Sequence, residues 1–118
     1  MRKQEQNGAQ ALIACLEAYN VSYIFGYSGG AAMPLFDALV DSPIELIMPR
    51  HEQGAIHAAD GYARISHQPG VVLVTSGPGA TNIVTGLLTA QMDSVPLIVL
   101  TGQTNLDNLG KDAFQEAD

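Results

Sequence analysis

Residues 71–75 constrain the fold of this chain more than any other stretch. They form a nearly continuous apolar run, which is typical of a parallel strand that is covered on both faces of its sheet. Three further runs have β-branched or aromatic character and are also predicted to be strands: residues 21–27, 44–48 and 95–101. Parallel strands need crossover connections, so the segments between these runs are predicted to be helices.

The intervening segments have the properties expected of helices. Apolar residues recur with a helical period over residues 8–19, and Pro34 suits the first turn of a helix over residues 33–40. Two more helices are predicted over residues 52–65 and 80–92. The alternation predicts an α/β fold, a doubly wound parallel sheet with helices on both faces. Four strands make a small sheet, so we expect the domain to be incomplete.

Composition argues against several classes of partner. The 118 residues have a formal net charge of −7, which would repel a phosphate backbone, so no nucleic-acid partner is expected. No run approaches the roughly 18 apolar residues of a membrane span, and no signal peptide follows Arg2 and Lys3. We therefore expect a cytoplasmic protein with no membrane segment. The single cysteine, Cys15, lies in an apolar helical pattern and is predicted to be a buried thiol.

Glu52 is the first candidate for chemistry. It follows a strand-like run and opens a helix, and ligands collect at the carboxyl ends of strands in parallel sheets. The alternative is structural, because an acid in the first turn of a helix stabilises it by roughly 0.3–1 kcal/mol. The helix that Glu52 opens is rich in small residues, and we expect this small-residue face to mediate self-association. The face consists of Ala55, Ala58, Ala59 and Ala63.

Two glycine motifs have competing interpretations. The GPGATN turn that begins at Gly77 resembles a dinucleotide-binding fingerprint, but Asn82 stands where the third glycine belongs. A tight turn whose free amides face a polar ligand is the alternative. Residues 26–30 match the G-x-S-x-G pattern, which makes Ser28 a candidate nucleophile, with a glycine turn and an incidental serine as the alternative.

The histidines do not predict a metal site. His51 and His57 lack the i, i+4 spacing of paired ligands, and the chain contains neither cysteine pairs nor an H-E-x-x-H motif. We expect no metal site made by this chain alone. The histidines are predicted to make local hydrogen bonds instead.

Four blocks, in this order, resemble the N-terminal, pyrimidine-binding domain of the thiamine-diphosphate enzymes. They are FGYSGGAAMPLFDAL, RHEQGAIHAADGYAR, TSGPGATN and GKDAFQEAD. Within that superfamily the whole chain is most similar to the large subunit of acetolactate (acetohydroxyacid) synthase. The resemblance implies that residues 1–118 are the N-terminal part of such an enzyme, without its middle and diphosphate-binding domains, and that they are inactive alone.

The same resemblance implies an activity and its cofactors. Two pyruvates would be joined to acetolactate with loss of CO₂, or pyruvate would be joined to 2-ketobutyrate, in branched-chain amino-acid biosynthesis. Thiamine diphosphate would be the reactive cofactor, with Mg²⁺ and FAD bound outside this chain. A homodimer, with a small regulatory subunit as a further partner, is the implied assembly. A non-catalytic interaction module and a related thiamine-diphosphate decarboxylase or carboligase remain as alternatives.

Residue by residue, the resemblance assigns two catalytic candidates. Glu52 matches the acid that hydrogen-bonds a ring nitrogen of the cofactor's aminopyrimidine and thereby promotes loss of the thiazolium proton. Phe114 and Gln115 match residues at the substrate end of the site, and Gln115 is the second catalytic candidate.

Four further positions are implied to border the cofactor. Gly29 and Gly30 match a glycine loop, while Gly79 and Asn82 match a turn that faces the same crevice. Ser28 stands where the family usually has proline, which makes the first loop less rigid but removes no acid or donor.

Overall fold

The computed structural model describes residues 6–117. Helices and strands alternate along them in the order α1 (Gly8–Ala18), β1 (Tyr23–Gly26), α2 (Met33–Leu39), β2 (Glu45–Ile47), α3 (Glu52–Ser66), β3 (Gly70–Val74), α4 (Pro78–Thr81), α5 (Val84–Met92) and β4 (Leu97–Thr101). Short 3₁₀ turns precede α2 at Gly30–Ala32 and follow β4 at Leu106–Asn108. Within residues 6–117, every helix is too short or too polar to cross a membrane.

The four strands form one parallel sheet in the order β2-β1-β3-β4. From β1 the chain passes outward to β2, then crosses back over β1 to add β3 and β4 on the other side. The direction of the crossovers therefore changes between β1 and β3. Open α/β sheets bind ligands at the carboxyl ends of the strands at such a switch point.

Two apolar clusters cover the two faces of the sheet. Alternate residues of β3 face opposite clusters, and all of β3 is buried. Val71 and Leu73 pack with residues of α1 and α2, whereas Val72 and Val74 pack with α3. The predicted α/β class, with a doubly wound parallel sheet and helices on both faces, is confirmed.

Polar side chains set the ends of the two longest helices. Asn7 and Gln10 accept each other's backbone N–H groups at 2.9 and 3.0 Å, which makes a capping box at the start of α1. The His51 Nδ1 accepts the N–H of Gln53 at 3.0 Å and caps α3. The prediction that histidines bond locally is therefore confirmed for His51, and the capped helix holds Glu52 at its first position.

Arg64 ties α3 to the end of α5. Its guanidinium donates to Asp60 at 2.5 Å and to Asp93 at 2.6 Å. The hydrogen bond to Asp60, and to a lesser extent the one to Asp93, raises the pKa of Arg64 above its ordinary value. The two helices on this face are thus joined by charge as well as by apolar packing.

The prediction of a buried Cys15 is wrong, because the thiol is exposed. The buried residues of α1 are Ile13 and Leu16, and Cys15 lies roughly 200° around the helix from Ile13 at 3.6 residues per turn. The apolar stripe of α1 is therefore narrower than the sequence pattern indicated, and Tyr19 also lies outside it.

The predicted small-residue face is not a free surface. Ala55, Ala59 and Ala63 are 0–2% exposed and pack inside this chain, leaving only Ala58 on the outside. Ala55 and Ala59 belong to the cluster between α3 and the sheet. Their small side chains let α3 lie close to its own strands, so these residues cannot form an interface with another subunit.

The single helix predicted over residues 80–92 is two helices. The chain bends between α4 and α5, where Asn82 and Ile83 have ψ angles of −11° and −3°. Ile83 is buried in the α3 cluster, while the Asn82 side chain makes a hydrogen bond outside its own helices. The bend thus points one side chain into the core and its neighbour toward the site.

Candidate functional site

The candidate site lies at the carboxyl edge of the sheet, where the loops after β1, β2 and β3 converge. Glu52 is the first residue of α3 and is half-buried. It therefore occupies the strand-to-helix junction that the sequence predicted. A carboxylate at this position is close to the free N–H groups of the helix terminus, which favour negative charge.

The structure brings Asn82 and Glu52 together. The Asn82 Nδ2 donates to the Glu52 Oε2 at 3.2 Å, in a partly buried contact. This bond joins the loop after β2 to the bend after β3. It occupies one carboxylate oxygen and leaves the other free of protein donors among the described residues.

Gly29 and Gly79 close around one side chain, Thr75. A Cβ atom on Gly29 would lie 2.4 Å from the Thr75 Cγ2, and one on Gly79 would lie 2.7 Å from the same methyl group. The Gly79 Cβ would also come within 3.8 Å of the Glu52 Oε1. Glycine at these two positions allows both loops to touch Thr75 and keeps the space beside the carboxylate open.

The C-terminal segment packs against the turn after β3. Gly77 has φ +55°, and a Cβ there would lie 2.5 Å from the backbone oxygen of Gln115. Only glycine accommodates both the backbone angle and the contact. The backbone of Gln115, itself at φ 57°, is thereby held at the edge of the candidate site.

A groove of about 340 Å³ lies beside this turn. Its lining includes Gly30, Ser76, Phe114 and Gln115, but not Glu52. The Phe114 side chain is 90% exposed. The structure therefore brings the predicted residues together in two adjoining groups. Gly29 and Gly79 meet at Thr75, with Glu52 beside Gly79 and Asn82 bonded to Glu52, while Gly30, Phe114 and Gln115 line the groove.

Glu116 orders the segment that carries Phe114 and Gln115. Its carboxylate accepts the backbone N–H of Gly110 and, at 2.9 Å, that of Ala113. These hydrogen bonds lower the pKa of Glu116. The Gln103 Nε2 also donates to the Ala117 backbone oxygen at 2.7 Å, which ties the segment to the end of β4.

The competing motif interpretations gain no support from the geometry. Ser28 is exposed, and no histidine within residues 6–117 hydrogen-bonds to it. Over the same residues, no group of three or more His, Cys, Asp or Glu side chains could hold a metal ion.

The sequence analysis missed Thr75. Its side chain is 8% exposed and meets both glycine loops, yet no motif marks it. The available signal was its position as the first polar residue after an unbroken apolar strand. A polar side chain that follows a doubly covered strand lies at the ligand-binding edge of the sheet. When it is buried there, it needs a hydrogen-bond partner.

Comparison with protein families gives an independent result. Residues 6–118 match a family model described as "Thiamine pyrophosphate enzyme, N-terminal TPP binding domain". The match covers the chain from before α1 to its last residue, and so includes every residue of the candidate site.

Individual relatives agree with that match. The "Probable acetolactate synthase large subunit" of Methanocaldococcus jannaschii is 59% identical over 111 residues, which are 94% of this chain and 19% of that protein. The acetolactate synthase large subunit of Lactococcus lactis is 56% identical over 113 residues, 95% of this chain and 20% of its own. The isozyme 2 large subunit of Escherichia coli is 53% identical over 112 residues, again 95% and 20%. The chain spans about a fifth of the length of these curated relatives.

Proposed function

This chain belongs to the thiamine pyrophosphate (thiamine diphosphate) enzymes as their N-terminal TPP-binding domain, and on that premise we propose that it supplies half of the active site of an acetolactate synthase. The reaction would convert two pyruvates to acetolactate and CO₂, or pyruvate and 2-ketobutyrate to the corresponding product, in branched-chain amino-acid biosynthesis. The observation that carries the proposal is the half-buried Glu52 carboxylate, held by Asn82 at the β1/β3 switch point.

The residues at this edge fit the cofactor that the family binds. A flat ring needs backbone that can approach closely. Gly29 and Gly79 let the two loops close on Thr75, and at Gly79 the absence of a Cβ also keeps the space beside the Glu52 Oε1 open. A ring nitrogen needs a carboxyl partner, which Glu52 provides beside Gly79. Gly29, Gly30, Gly79 and Asn82 are therefore proposed to border the cofactor, and Glu52 to hydrogen-bond it.

Thiamine diphosphate, when bound, supplies the electron sink that decarboxylation of a 2-keto acid requires. The role of this chain is to position a proton. Asn82 occupies the Oε2 of Glu52, so Oε1, on the side of Gly79, is the atom proposed to hold the proton and pass it on. A positioned acid–base group of this kind contributes typically 10²–10⁴-fold to a rate.

Phe114 and Gln115 are proposed to face the substrate. Both line the groove next to the turn that carries Gly79, and the exposed Phe114 ring offers an apolar surface for the methyl group of pyruvate. The Gln115 side chain carries both a donor and an acceptor for the substrate's carbonyl and carboxylate oxygens. Gln115 therefore remains the second catalytic candidate.

Other components are proposed to lie outside residues 1–118. Mg²⁺ and FAD would be bound by a middle and a diphosphate-binding domain, and a small regulatory subunit would be a further partner. Three of the relatives above are named large subunits, which supports the last point. We propose a cytoplasmic location, as the sequence suggested.

A homodimer is proposed to use the outer side of α5. Val84, Leu88 and Met92 recur every four residues along this helix and are 58%, 57% and 76% exposed. Such a stripe lies on one helix face and leaves apolar surface unburied. The opposite side of α5 already packs on Ile56 through Gly86, so the stripe faces away from the chain's own core.

Gly61 on α3 supports a contact on the same face of the sheet. A glycine inside a helix costs roughly 0.5–1 kcal/mol relative to alanine, yet no described atom beyond its own stretch of helix backbone lies within 4 Å of a Cβ built there. Nothing within residues 6–117 therefore requires glycine at this position. Close approach by a partner would account for it, and α3 packs beside α5.

The test is product analysis with the full-length gene product. Purified protein is incubated with pyruvate, thiamine diphosphate, Mg²⁺ and FAD, and the products are identified by mass spectrometry. Acetolactate with one CO₂ per two pyruvates is the expected result. If acetaldehyde is the main product, the protein is a decarboxylase instead. If the protein self-associates but converts no pyruvate, it is an interaction module.

A further inference from the structure

Thr75 is a buried polar residue at the carboxyl edge whose side chain contacts both glycine loops. It follows β3 directly and is 8% exposed. No role has been assigned to it by the sequence motifs. Its surroundings nevertheless consist of the loops that are proposed to border the cofactor.

The methyl group of Thr75 is the point where the two loops meet. The α-carbons of Gly29 and Gly79 approach it so closely that an added Cβ would lie 2.4 and 2.7 Å away, respectively. Both values are far below an ordinary contact between carbon atoms of about 3.5–4.0 Å. The Gly79 turn rests mainly on this methyl group, whereas a Cβ on Gly29 would also lie 2.4 Å from the Thr75 Cβ, so the Thr75 side chain sets how far apart the loops after β1 and β3 stand.

The hydroxyl group of Thr75 also holds the loop after β1. The backbone N–H of Ala31 donates to the Thr75 Oγ1 at 3.3 Å. Ala31 belongs to the 3₁₀ turn that leads from Gly29 into α2. One side chain therefore fixes the spacing of the loops through its methyl group and the path of the first loop through its oxygen.

We infer that Thr75 is a positioning residue for the candidate site: it holds the β1 loop and the β3 turn at the separation that the cofactor requires. The inference rests on the proposed function, because it takes Gly29 and Gly79 as cofactor-bordering residues. Thr75 is not proposed to transfer a proton or to contact a reacting atom. It acts through the two glycines, one of which lies beside the Glu52 Oε1.

Two substitutions test the contacts of the Thr75 methyl group and of its hydroxyl group one at a time. Thr75→Ser keeps the oxygen and removes the methyl group, whereas Thr75→Val keeps a methyl group and removes the acceptor of the Ala31 N–H. Ile13→Val is the matched control, because it removes one buried carbon from the α1 side of the sheet, away from the site. All three variants are expected to lower the melting temperature, so stability alone does not distinguish a positioning role from a purely structural one.

The first measurement needs no cofactor and is made on this chain: the hydrogen-exchange rate of the Ala31 amide. Thr75→Val is expected to raise that rate by about 2- to 10-fold, the range for loss of one hydrogen bond, whereas Thr75→Ser, which keeps the acceptor oxygen, raises it less. An unchanged rate in Thr75→Val would overturn the assigned contact. This measurement tests the contact between Thr75 and Ala31 whether or not the gene product makes acetolactate. A negative result here is therefore distinguishable from a failure of the proposed function.

The second measurement is made on the full-length gene product: the KM for thiamine diphosphate at saturating Mg²⁺ and pyruvate. Thr75→Ser is expected to raise this KM by at least about threefold, because looser loops lose the fixed geometry on which positioning depends. Ile13→Val should leave it within about twofold. Equal KM values in Thr75→Ser and Ile13→Val would overturn the positioning role and leave Thr75 as an ordinary core residue.

Discussion

The Asn82 side chain donates to the Glu52 Oε2 at 3.2 Å, across 30 positions of sequence. Glu52 opens α3 after the edge strand β2, and Asn82 lies at the bend between α4 and α5. The bond therefore connects segments on opposite sides of β1. The Oε2 of Glu52 accepts this bond, whereas Oε1 has no protein donor among the described residues. This difference between the two oxygens is the basis of the role proposed for Glu52.

Substitution of Asn82 tests that asymmetry. Asn82→Ala removes the donor, and Asn82→Asp places a second carboxylate beside Glu52, where like charges repel. We expect acetolactate formation to fall in both variants and to fall further in Asn82→Asp at neutral pH. Lowering the pH should narrow the gap between the two, because protonation of either carboxyl group relieves the repulsion. Equal pH–rate profiles for the two variants would contradict the contact.

Gly79→Ala tests the close packing around Thr75. The new Cβ would lie 2.7 Å from the Thr75 methyl group, and such overpacking costs typically about 1–3 kcal/mol of unfolding free energy. Gly8→Ala is the control, since a Cβ at this first position of α1 would meet no atom outside its own helix within 4 Å. Urea unfolding of the chain should show Gly79→Ala less stable, and Gly8→Ala as stable or more so. The reverse order would contradict the packing described.

Glu116 gives the C-terminal segment a pH dependence. Its pKa is lowered below the ordinary 4.5 by hydrogen bonds from Gly110 and Ala113, so its contribution is complete above that value and is lost as the pH falls through the lowered pKa. We expect exchange protection of the Gly110 and Ala113 amides to decrease over that acidic window. Glu116→Gln should weaken protection at neutral pH and remove the acid dependence. A wild-type profile that stays flat through the window would contradict this account.

Leu88→Glu tests the proposed dimer surface on α5. A charge in the centre of the exposed stripe would have to be desolvated on association, so we expect a monomer in analytical ultracentrifugation. Val40→Glu is the control, because Val40 is also highly exposed but follows α2 on the opposite face of the sheet. The control should associate like the wild type. An unchanged dimer in Leu88→Glu, or a strictly monomeric wild type, would remove α5 as the interface.

Most of the architecture could be predicted from the sequence, because each strand is recognisable from its own run of apolar residues. An unbroken apolar run such as Gly70–Val74 is typical of a doubly covered strand, and the glycine turns mark where such strands end. The junction made Glu52 a candidate, and the family resemblance, not the junction, assigned it a role. These inferences depend on neighbours in the chain and not on contacts at a distance.

The predictions from sequence failed where tertiary packing determines the structure. Helical periodicity could not tell which side of α3 would face its own sheet, so Ala55 and Ala59 were assigned to an interface when they line the core. At the bend, Asn82 bonds to a carboxylate 30 residues away, a contact that local propensity does not reveal. Thr75 went unnoticed for the same reason, because its importance comes from two loops that meet only in the folded chain.

The central claim is that Glu52 handles a proton and is more than a helix-terminus acid. Gln at this position keeps the size and can still form a hydrogen bond, but it cannot exchange a proton. Glu45→Gln, on the exposed side of β2, is the matched control and should change neither rate nor stability appreciably.

The most direct measurement is the rate of acetolactate formation from pyruvate by Glu52→Gln at saturating thiamine diphosphate, with the melting temperature recorded on the same samples. We predict a rate loss of about 10²–10⁴-fold with little change in melting temperature. A purely structural Glu52 predicts the opposite pattern: a loss of roughly 0.3–1 kcal/mol in stability with activity retained. A Glu52→Gln rate within a few-fold of wild type would contradict the account.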